Sequence, residues 1–526
     1  MNMKPLFIAA LATFTALVPV LNGQAQVLVN YESAAKREEI LQEAEWRLTF
    51  RPSVMVLQQS VQQIQEAGSY ETHQIAASAG LLEQSQNAEE PEARKLVWQA
   101  RAVLKCVPWT EDEATLGSLS LASPKQVWTG TGDVLQLSAL YPVSAPEGGT
   151  YSLDLFEAHS TGSATPSLGR KIRHLADGKF GSELPALLPI DLTGVADGSY
   201  VVMANLKIGH AAAAEGNVAL PVYLLRDLEA RYANLKREFA KIDGHEDAKD
   251  TAEYPYALAE AMNAGKREVI TFDFPAALSR SESIVSEIKA GNDPVYRKVG
   301  LQQRAYRFSE TGELLPYQIY VPRSWTPGSK LPLVVALHGA NMDETNMLGR
   351  SNGQMQALAE RHGFIVAAPL GYRINSAYGS ERGFSGALTK DNLRLKRSER
   401  DVLELTARIR AEYETDPGRQ YLLGNSMGGG GTWWLGGQHP EMWTAIAPVA
   451  YGGVIPEDAR GLKRVPILVV VGDQDTLMVD RVRASVETLK KEKVGVAYIE
   501  VIGGTHKSAF DIALSQIFDF FQLHRR

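Results

Sequence analysis

The chain predicts an α/β region over residues 301–526, carried behind a helical segment and a small β-sandwich. Three observations carry this. Beyond residue 301, apolar strand patterns alternate with helical ones, as in a parallel sheet covered on both faces. Between residues 116 and 222, short runs alternate apolar and polar residues and are separated by Gly-, Pro- and Ser-rich turns, as in a sandwich. Between residues 31 and 115, apolar residues recur three and four apart, as on helices. A chain of 526 residues has room for two to four such units at about 150 residues each. The expected organisation is an export signal at 1–25, a helical segment at 26–115, a sandwich at 116–222, a second helical segment at 223–300 and the α/β domain at 301–526.

Taken in order, Lys4 provides a positive start, residues 6–21 an apolar run, and Gly23-Gln24-Ala25 a small-x-small cleavage site. The run is short for a membrane span, so the expectation is export to a secreted or periplasmic location, without stable membrane insertion. In the helical segment Ile40, Leu41, Ala44, Trp46 and Leu48, then Val54, Leu57, Val61 and Ile64, form apolar stripes with Gln and Glu in the gaps. Glu90 and Pro91 open a further helix, with proline in its first turn. Residues 133–140, 150–156 and 199–206 read as sandwich strands, with turns at 147–149, 176–178 and 196–198. The string beginning at Ala196-Asp197-Gly198 resembles the closing strands of Ig-like modules. Residues 223–293 return to helix and are expected to pack back on the first helical segment. In the α/β region strands are expected at 315–321, 333–337, 364–368, 420–423, 443–449, 465–471 and 494–501. Helices are expected at 346–361, 399–413, from 427, and at 509–521.

Composition narrows the function. Hydrophobic residues are 44% and charged ones 22%, an ordinary globular balance that excludes collagen-like, wholly disordered and multi-span membrane classes. A net charge of -7 without a long basic stretch argues against a nucleic-acid partner. Cys106 is the one cysteine, so an intramolecular disulfide and CxxC-type metal sites are excluded. Its apolar neighbours Val103, Leu104, Val107 and Trp109 predict a buried, inert thiol.

One motif sits where chemistry needs it. Gly424-Asn425-Ser426-Met427-Gly428 follows an apolar strand and opens a helix, the context of a nucleophile elbow. The tight turn requires small neighbours and lifts the Ser426 hydroxyl above the sheet. A serine needs a base, and the base an orienting carboxylate. Of the three histidines after Ser426, His439 falls too early and His524 lies in the terminal tail, leaving His506 in the loop after a strand. The acid is expected after the preceding strand, in Gly472-Asp473-Gln474-Asp475. Asp475 is the first candidate, Asp473 reads as a turn cap, and Asp480 stands third. The oxyanion hole is expected from the backbone N–H of Met427 and of Ala340, with Gly339 or Asn341 as alternatives, and His338 is expected to hold that loop.

These residues are similar to the α/β-hydrolase superfamily and look like its polyhydroxybutyrate-depolymerase and feruloyl-esterase branch of secreted esterases. The strings LPYQIYVPRSW, LPLVVALHGA, SERDVLEL and DPGRQYLLGNSMGGGGTWWLGGQHPEMWTAIAPVAYGG carry the resemblance, over residues 312–526. It implies a cofactor-free serine carboxylesterase acting on a small-molecule or polymer-linked ester, with Ser426, Asp475 and His506 as its triad. Some relatives carry an Ig-like module before the hydrolase, which fits 116–222. The cysteines common in secreted depolymerases are absent. Two other readings compete: a prolyl-oligopeptidase-like serine peptidase, and a non-catalytic binding protein on the same fold. The stretch 371–397 reads either as a pocket rim or as a solvated loop. Trp433 and Trp434 read as core packing or as an aromatic wall of the pocket.

Overall fold

The computed structural model describes residues 25–29, 34–143, 149–160, 165–181, 183–209, 214–267, 272–380, 392–454 and 461–526. The export signal expected at 1–25 therefore lies outside the described residues, but for Ala25. Among the described residues no helix is long and apolar enough to cross a membrane.

The chain opens with strand β1 (Ala25–Val29), then helices α1 (Ala34–Leu48), α2 (Val54–Ala67), α3 (Thr72–Gln86), α4 (Glu90–Leu104) and α5 (Glu111–Ser118). Eight strands follow: β2 (Leu119–Ala122), β3 (Val127–Trp128), β4 (Leu135–Ala139), β5 (Gly149–His159), β6 (Ser167–Phe180), β7 (Ala186–Leu188), β8 (Gly198–Ile208) and β9 (Ala214–Leu224). Helices α6 (Leu228–Phe239), α7 (Glu246–Asn263) and α8 (Phe274–Lys289) lead into the α/β region. That region comprises β10 (Gly300–Arg307), β11 (Leu314–Val321), β12 (Leu333–Leu337), α9 (Glu344–His362), β13 (Ile365–Pro369), α10 (Asn392–Tyr413) and β14 (Gln420–Asn425). It closes with α11 (Met427–Gln438), β15 (Ala445–Val449), β16 (Ile467–Gly472), α12 (Val479–Lys491), β17 (Val496–Ile502) and α13 (Ser508–Leu523).

The principal sheet has nine strands in the order β1-β17-β16-β15-β14-β12-β13-β11-β10. From β1 to β13 neighbours run parallel, and β11 and β10 are added antiparallel at one edge. Helices cover both faces, so the central strands are apolar without interruption. Along β12, Leu333, Val335 and Leu337 enter the core under α10, α11 and α12, while Val334 and Ala336 enter the core under α9 and α13. The result is a mostly parallel α/β sheet layered by helices on both faces. The expected strands from 315 to 501 all form, with edges moved by one or two residues. Two edge strands were not expected. β1 falls in a stretch read as signal and helix, and it pairs parallel with β17 from the far end of the chain. β10 pairs with β11 ahead of the expected strands.

The sandwich has a three-stranded sheet, β2-β4-β7, facing a five-stranded one, β3-β9-β8-β5-β6. Leu121 and Leu137 from the first pack with Leu153, Val202 and Val218 from the second. The short β3 runs parallel to β9, so the larger sheet is mixed. The turn expected at 176–178 is instead the interior of β6: Ala176, Asp177 and Gly178 pair with Leu153, Ser152 and Tyr151. Gly178 is needed there because a Cβ would sit 2.3 Å from the Tyr151 hydroxyl, whose ring crosses the strand at that point.

Helices α6–α8 do not pack back on the first helical segment as expected. They join the two sheet systems: Tyr254, Tyr256 and Phe274 share a core with Tyr223 of β9, Ala305 of β10 and Leu314 of β11. It is α2 that reaches the α/β region, where Met55 joins the main core. Cys106 is exposed, contrary to expectation, because it stands just past the end of α4 with a left-handed φ of 53°. Its sulfur accepts from Gln74 Nε2 at 2.9 Å.

Candidate active site

Three loops at the C-terminal ends of parallel strands meet over the sheet. The first is the elbow between β14 and α11. Ser426 adopts φ 56° and ψ -119°, a strained conformation for a residue with a side chain. Its neighbours show why glycines flank it. A Cβ on Gly424 would lie 2.1 Å from the Gly428 carbonyl oxygen, and one on Gly428 would lie 2.1 Å from that of Leu337. The turn is thus held by backbone pressed on backbone, and the Ser426 N–H donates to the Val449 carbonyl of the next strand at 2.9 Å.

The second loop follows β16. Asp475 is fully buried, and one carboxylate oxygen accepts from the Met478 N–H at 3.2 Å. The third follows β17 and carries His506. The two loops lie against each other, since a Cβ on Gly472 would fall 2.0 Å from the Gly504 carbonyl oxygen. Asp473 does not cap its own turn as expected but reaches across to the third loop, accepting from the Gly503 N–H at 2.7 Å. Asp480 lies on the exposed surface of α12.

These loops bring Ser426, His506 and Asp475 into one relay. His506 Nδ1 lies 2.7 Å from Asp475 Oδ2, and Nε2 lies 2.8 Å from Ser426 Oγ. With the ring in its Nδ1–H tautomer, it donates to the carboxylate and accepts from the hydroxyl. Burial alone would depress the imidazolium. The Asp475 charge and hydrogen bond, with a further contribution from Glu66, outweigh burial and the opposing Arg350, so the His506 pKa is raised. The other histidines are engaged elsewhere: His439 Nε2 stands 2.6 Å from Glu399, and His524 Nδ1 stands 2.8 Å from the Phe520 carbonyl.

The loop after β12 roofs the serine. His338 is fully buried, with Nδ1 2.8 Å from the Gly339 carbonyl oxygen and Nε2 2.9 Å from that of Leu370. Because a trans peptide is planar, turning the Gly339 carbonyl toward His338 turns the Ala340 N–H the other way. Ala340 lines the same cavity as Ser426. Asn341 is a poorer oxyanion donor, since its N–H already donates to Asn375 Oδ1 at 2.9 Å.

The cavity over Ser426 has a second wall that the sequence reading missed. Besides Gly339, Ala340, Met342, Leu477 and His506, it is lined by α2 through Val56, Gln59, Gln62, Gln63 and Glu66, and by α1 through Glu43 and Arg47. The spacing of 59, 62, 63 and 66 is one face of a helix. Leu57, Val61 and Ile64 on another face pack on α1 and α4. The glutamines read as gap-fillers are thus the cleft wall. The described part of 371–397 does not rim this cavity. Tyr372, Ala377 and Tyr378 are buried, and Asn375 braces Asn341; residues 381–391 lie outside the described residues. The tryptophans are not in the cavity either. Trp433 is buried with Nε1 donating to the Tyr451 carbonyl at 3.0 Å, and Trp434 Nε1 donates to Glu399 at 3.0 Å.

Residues 309–519 match the sequence model of the Esterase family. The match spans all three loops and stops short of α1 and α2. A curated relative, the bifunctional acetylxylan esterase/xylanase XynS20E of Neocallimastix patriciarum, is 30% identical over 169 residues. Those residues are 32% of this chain, which spans only 22% of that relative. Similar solved structures include a ferulic acid esterase of Anaeromyces mucronatus (18% identity, TM-score 0.34, 43% of this chain and 92% of that one). A fluorophosphonate-binding serine hydrolase of Staphylococcus aureus is 17% identical, with TM-score 0.35 over 42% of this chain and 98% of its own. A thermostable esterase is 18% identical, with TM-score 0.37 over 78% of this chain and all of its own.

Proposed function

We propose that the protein is an exported serine carboxylesterase that works through an acyl-enzyme formed on Ser426. The observation that carries the reading is the relay of 2.7 and 2.8 Å from Asp475 through His506 to a serine on a strained elbow. Ser426 Oγ attacks the ester carbonyl carbon while its proton passes to His506 Nε2. The negative charge on the carbonyl oxygen is met by the N–H groups of Met427 and Ala340, with the N-terminus of α11 adding to the field. The C–O bond to the alcohol then breaks, and His506 returns the proton to the departing alkoxide. Water repeats the attack on the acyl-enzyme through the same base, releasing the acid and restoring the serine. Asp475 holds the ring in the tautomer this sequence needs.

The substrate class is a small-molecule or polymer-linked ester. The relatives' names, acetylxylan esterase and ferulic acid esterase, make acetyl and hydroxycinnamoyl esters of polysaccharides the first to try. The β2–β9 unit is read as an Ig-like module. In support, the Tyr200 hydroxyl donates to the Ala196 carbonyl at 2.7 Å, the kind of bond made by the tyrosine corner of such sandwiches.

The test is hydrolysis of p-nitrophenyl esters from acetate to long acyl chains, with a proline-linked chromogenic peptide alongside. Ester turnover is expected in wild type, with Ser426→Ala down by about a millionfold in kcat. Peptide cleavage in preference to ester would overturn the assignment.

A further inference from the structure

We propose that Glu66 and Gln62 of α2 are positioning residues for the relay, so that the N-terminal helices are part of the catalytic apparatus and not a separate module. This rests on the serine-esterase reading above. Gln62 is buried, and its Nε2 donates both to Thr476 Oγ1 and to Glu66 Oε1, each at 2.9 Å. Thr476 is the residue after Asp475, so the bond ties α2 to the acid loop across 414 residues of sequence. A second tie holds the histidine loop: Lys507, next to His506, donates to Glu43 of α1 at 2.6 Å. Arg350 of α9 holds the same loop as well, donating to the Lys507 carbonyl at 3.2 Å. The residues beside the acid and beside the base are each fastened to the N-terminal helices, and Met55 anchors α2 in the main core.

Glu66 does more than fill the wall. It lies close enough to Asp475 and His506 to interact with both charges. Burial and then the Asp475 charge push its carboxyl up to about 8, against the pull of His506 and the bonds from Gln62 and Thr476. The groups facing His506 are Asp475 from the acid loop, Glu66 from α2 and Arg350 from α9; Glu43, Arg47 and Lys507 stand further along the cleft. A carboxyl raised to about 8 is mostly neutral at pH 7, so there Glu66 acts on the relay through its hydrogen bond and its shape, and not through charge.

The decisive experiment compares kcat and KM on p-nitrophenyl acetate for full-chain wild type, Glu66→Gln and Glu66→Ala, with the His506 midpoint followed by NMR on labelled histidine. The melting temperature is measured on the same samples. Glu66→Gln keeps the side chain's shape and a hydrogen-bonding end. Its His506 midpoint should stay near the wild-type value and its kcat within about threefold of wild type. Glu66→Ala should lower kcat by about tenfold with KM within about twofold. A Glu66→Ala kcat within about twofold of wild type, or an equal loss in Glu66→Gln and Glu66→Ala, overturns the proposal. Failure of the esterase reading looks different: wild type would neither hydrolyse the ester nor be labelled at Ser426 by a fluorophosphonate.

Discussion

The two walls of the cleft are built in opposite ways. The wall that carries Ser426 is backbone packed on backbone. Gly424, Gly428 and Gly472 each sit where an added carbon would fall within 2.1 Å of a carbonyl oxygen. The facing wall is made of long polar side chains on α2, held by single hydrogen bonds such as Gln62 to Thr476. A wall of the first kind has no room to move and fixes reacting atoms to fractions of an ångström. A wall of the second kind can change its residues without disturbing the sheet. The reacting groups belong on the first, and selectivity on the second wherever it only lines the cleft, outside the ties that Gln62 and Glu66 make to the acid loop; that division can be tested from each side.

The largest effect is expected at the fixed wall. Asp475→Asn leaves the shape intact but presents an amide to His506 Nδ1 and favours the wrong tautomer. kcat should fall by about 10⁴, or roughly 5.5 kcal/mol of barrier. Wild-type kcat/KM should rise with pH as the imidazole becomes neutral, with an apparent pKa above the ordinary 6.5 because the net shift of His506 is upward. A loss of less than tenfold in Asp475→Asn would mean that the carboxylate does not govern the base.

Gly424→Ala comes next and acts through packing alone. The new methyl would lie 2.1 Å from the Gly428 carbonyl oxygen and 2.6 Å from Thr432 Oγ1. Backbone at the start of α11 cannot swing aside as a surface side chain can. A destabilisation of about 3 kcal/mol is expected, read as a lower melting temperature together with lost turnover. An alanine tolerated without change in either would show that the elbow is looser than its geometry implies.

The same contrast explains what could be read from the sequence. The elbow, Asp475 and His506 were legible because their constraints are local: glycines around a serine, and loops that follow apolar strands. The parallel strands were legible because burial on both faces leaves an uninterrupted apolar run, as in Leu333–Leu337. The cleft wall on α2 was not legible. Gln59, Gln62, Gln63 and Glu66 carry the pattern of an ordinary solvated helix face, and only the docking of that helix shows that they meet a serine some 360 positions later. β1 was missed for the same reason, since its partner β17 lies at the other end of the chain. Gly178 misled in the reverse sense. Ala-Asp-Gly is a turn signal locally, yet a tyrosine crossing from the neighbouring strand makes glycine the residue that fits there.

The smallest effect is expected on the α2 wall, and it is the sharpest test of the division. Gln59 lines the cavity one turn before Gln62 and Gln63, without the bond that ties Gln62 to the acid loop. Gln59→Ala enlarges the cleft and removes an amide, while the relay and its two ties stay in place. KM for long-chain or bulky esters should therefore change about two- to fivefold, and the ratio of kcat/KM between long and short esters should change with it, a difference of under 1 kcal/mol. The pH profile should not move, because no charge near His506 has changed. If Gln59→Ala instead lowered kcat for every ester alike, α2 would be setting the position of the reacting groups along its whole length. The boundary between the two walls would then lie elsewhere.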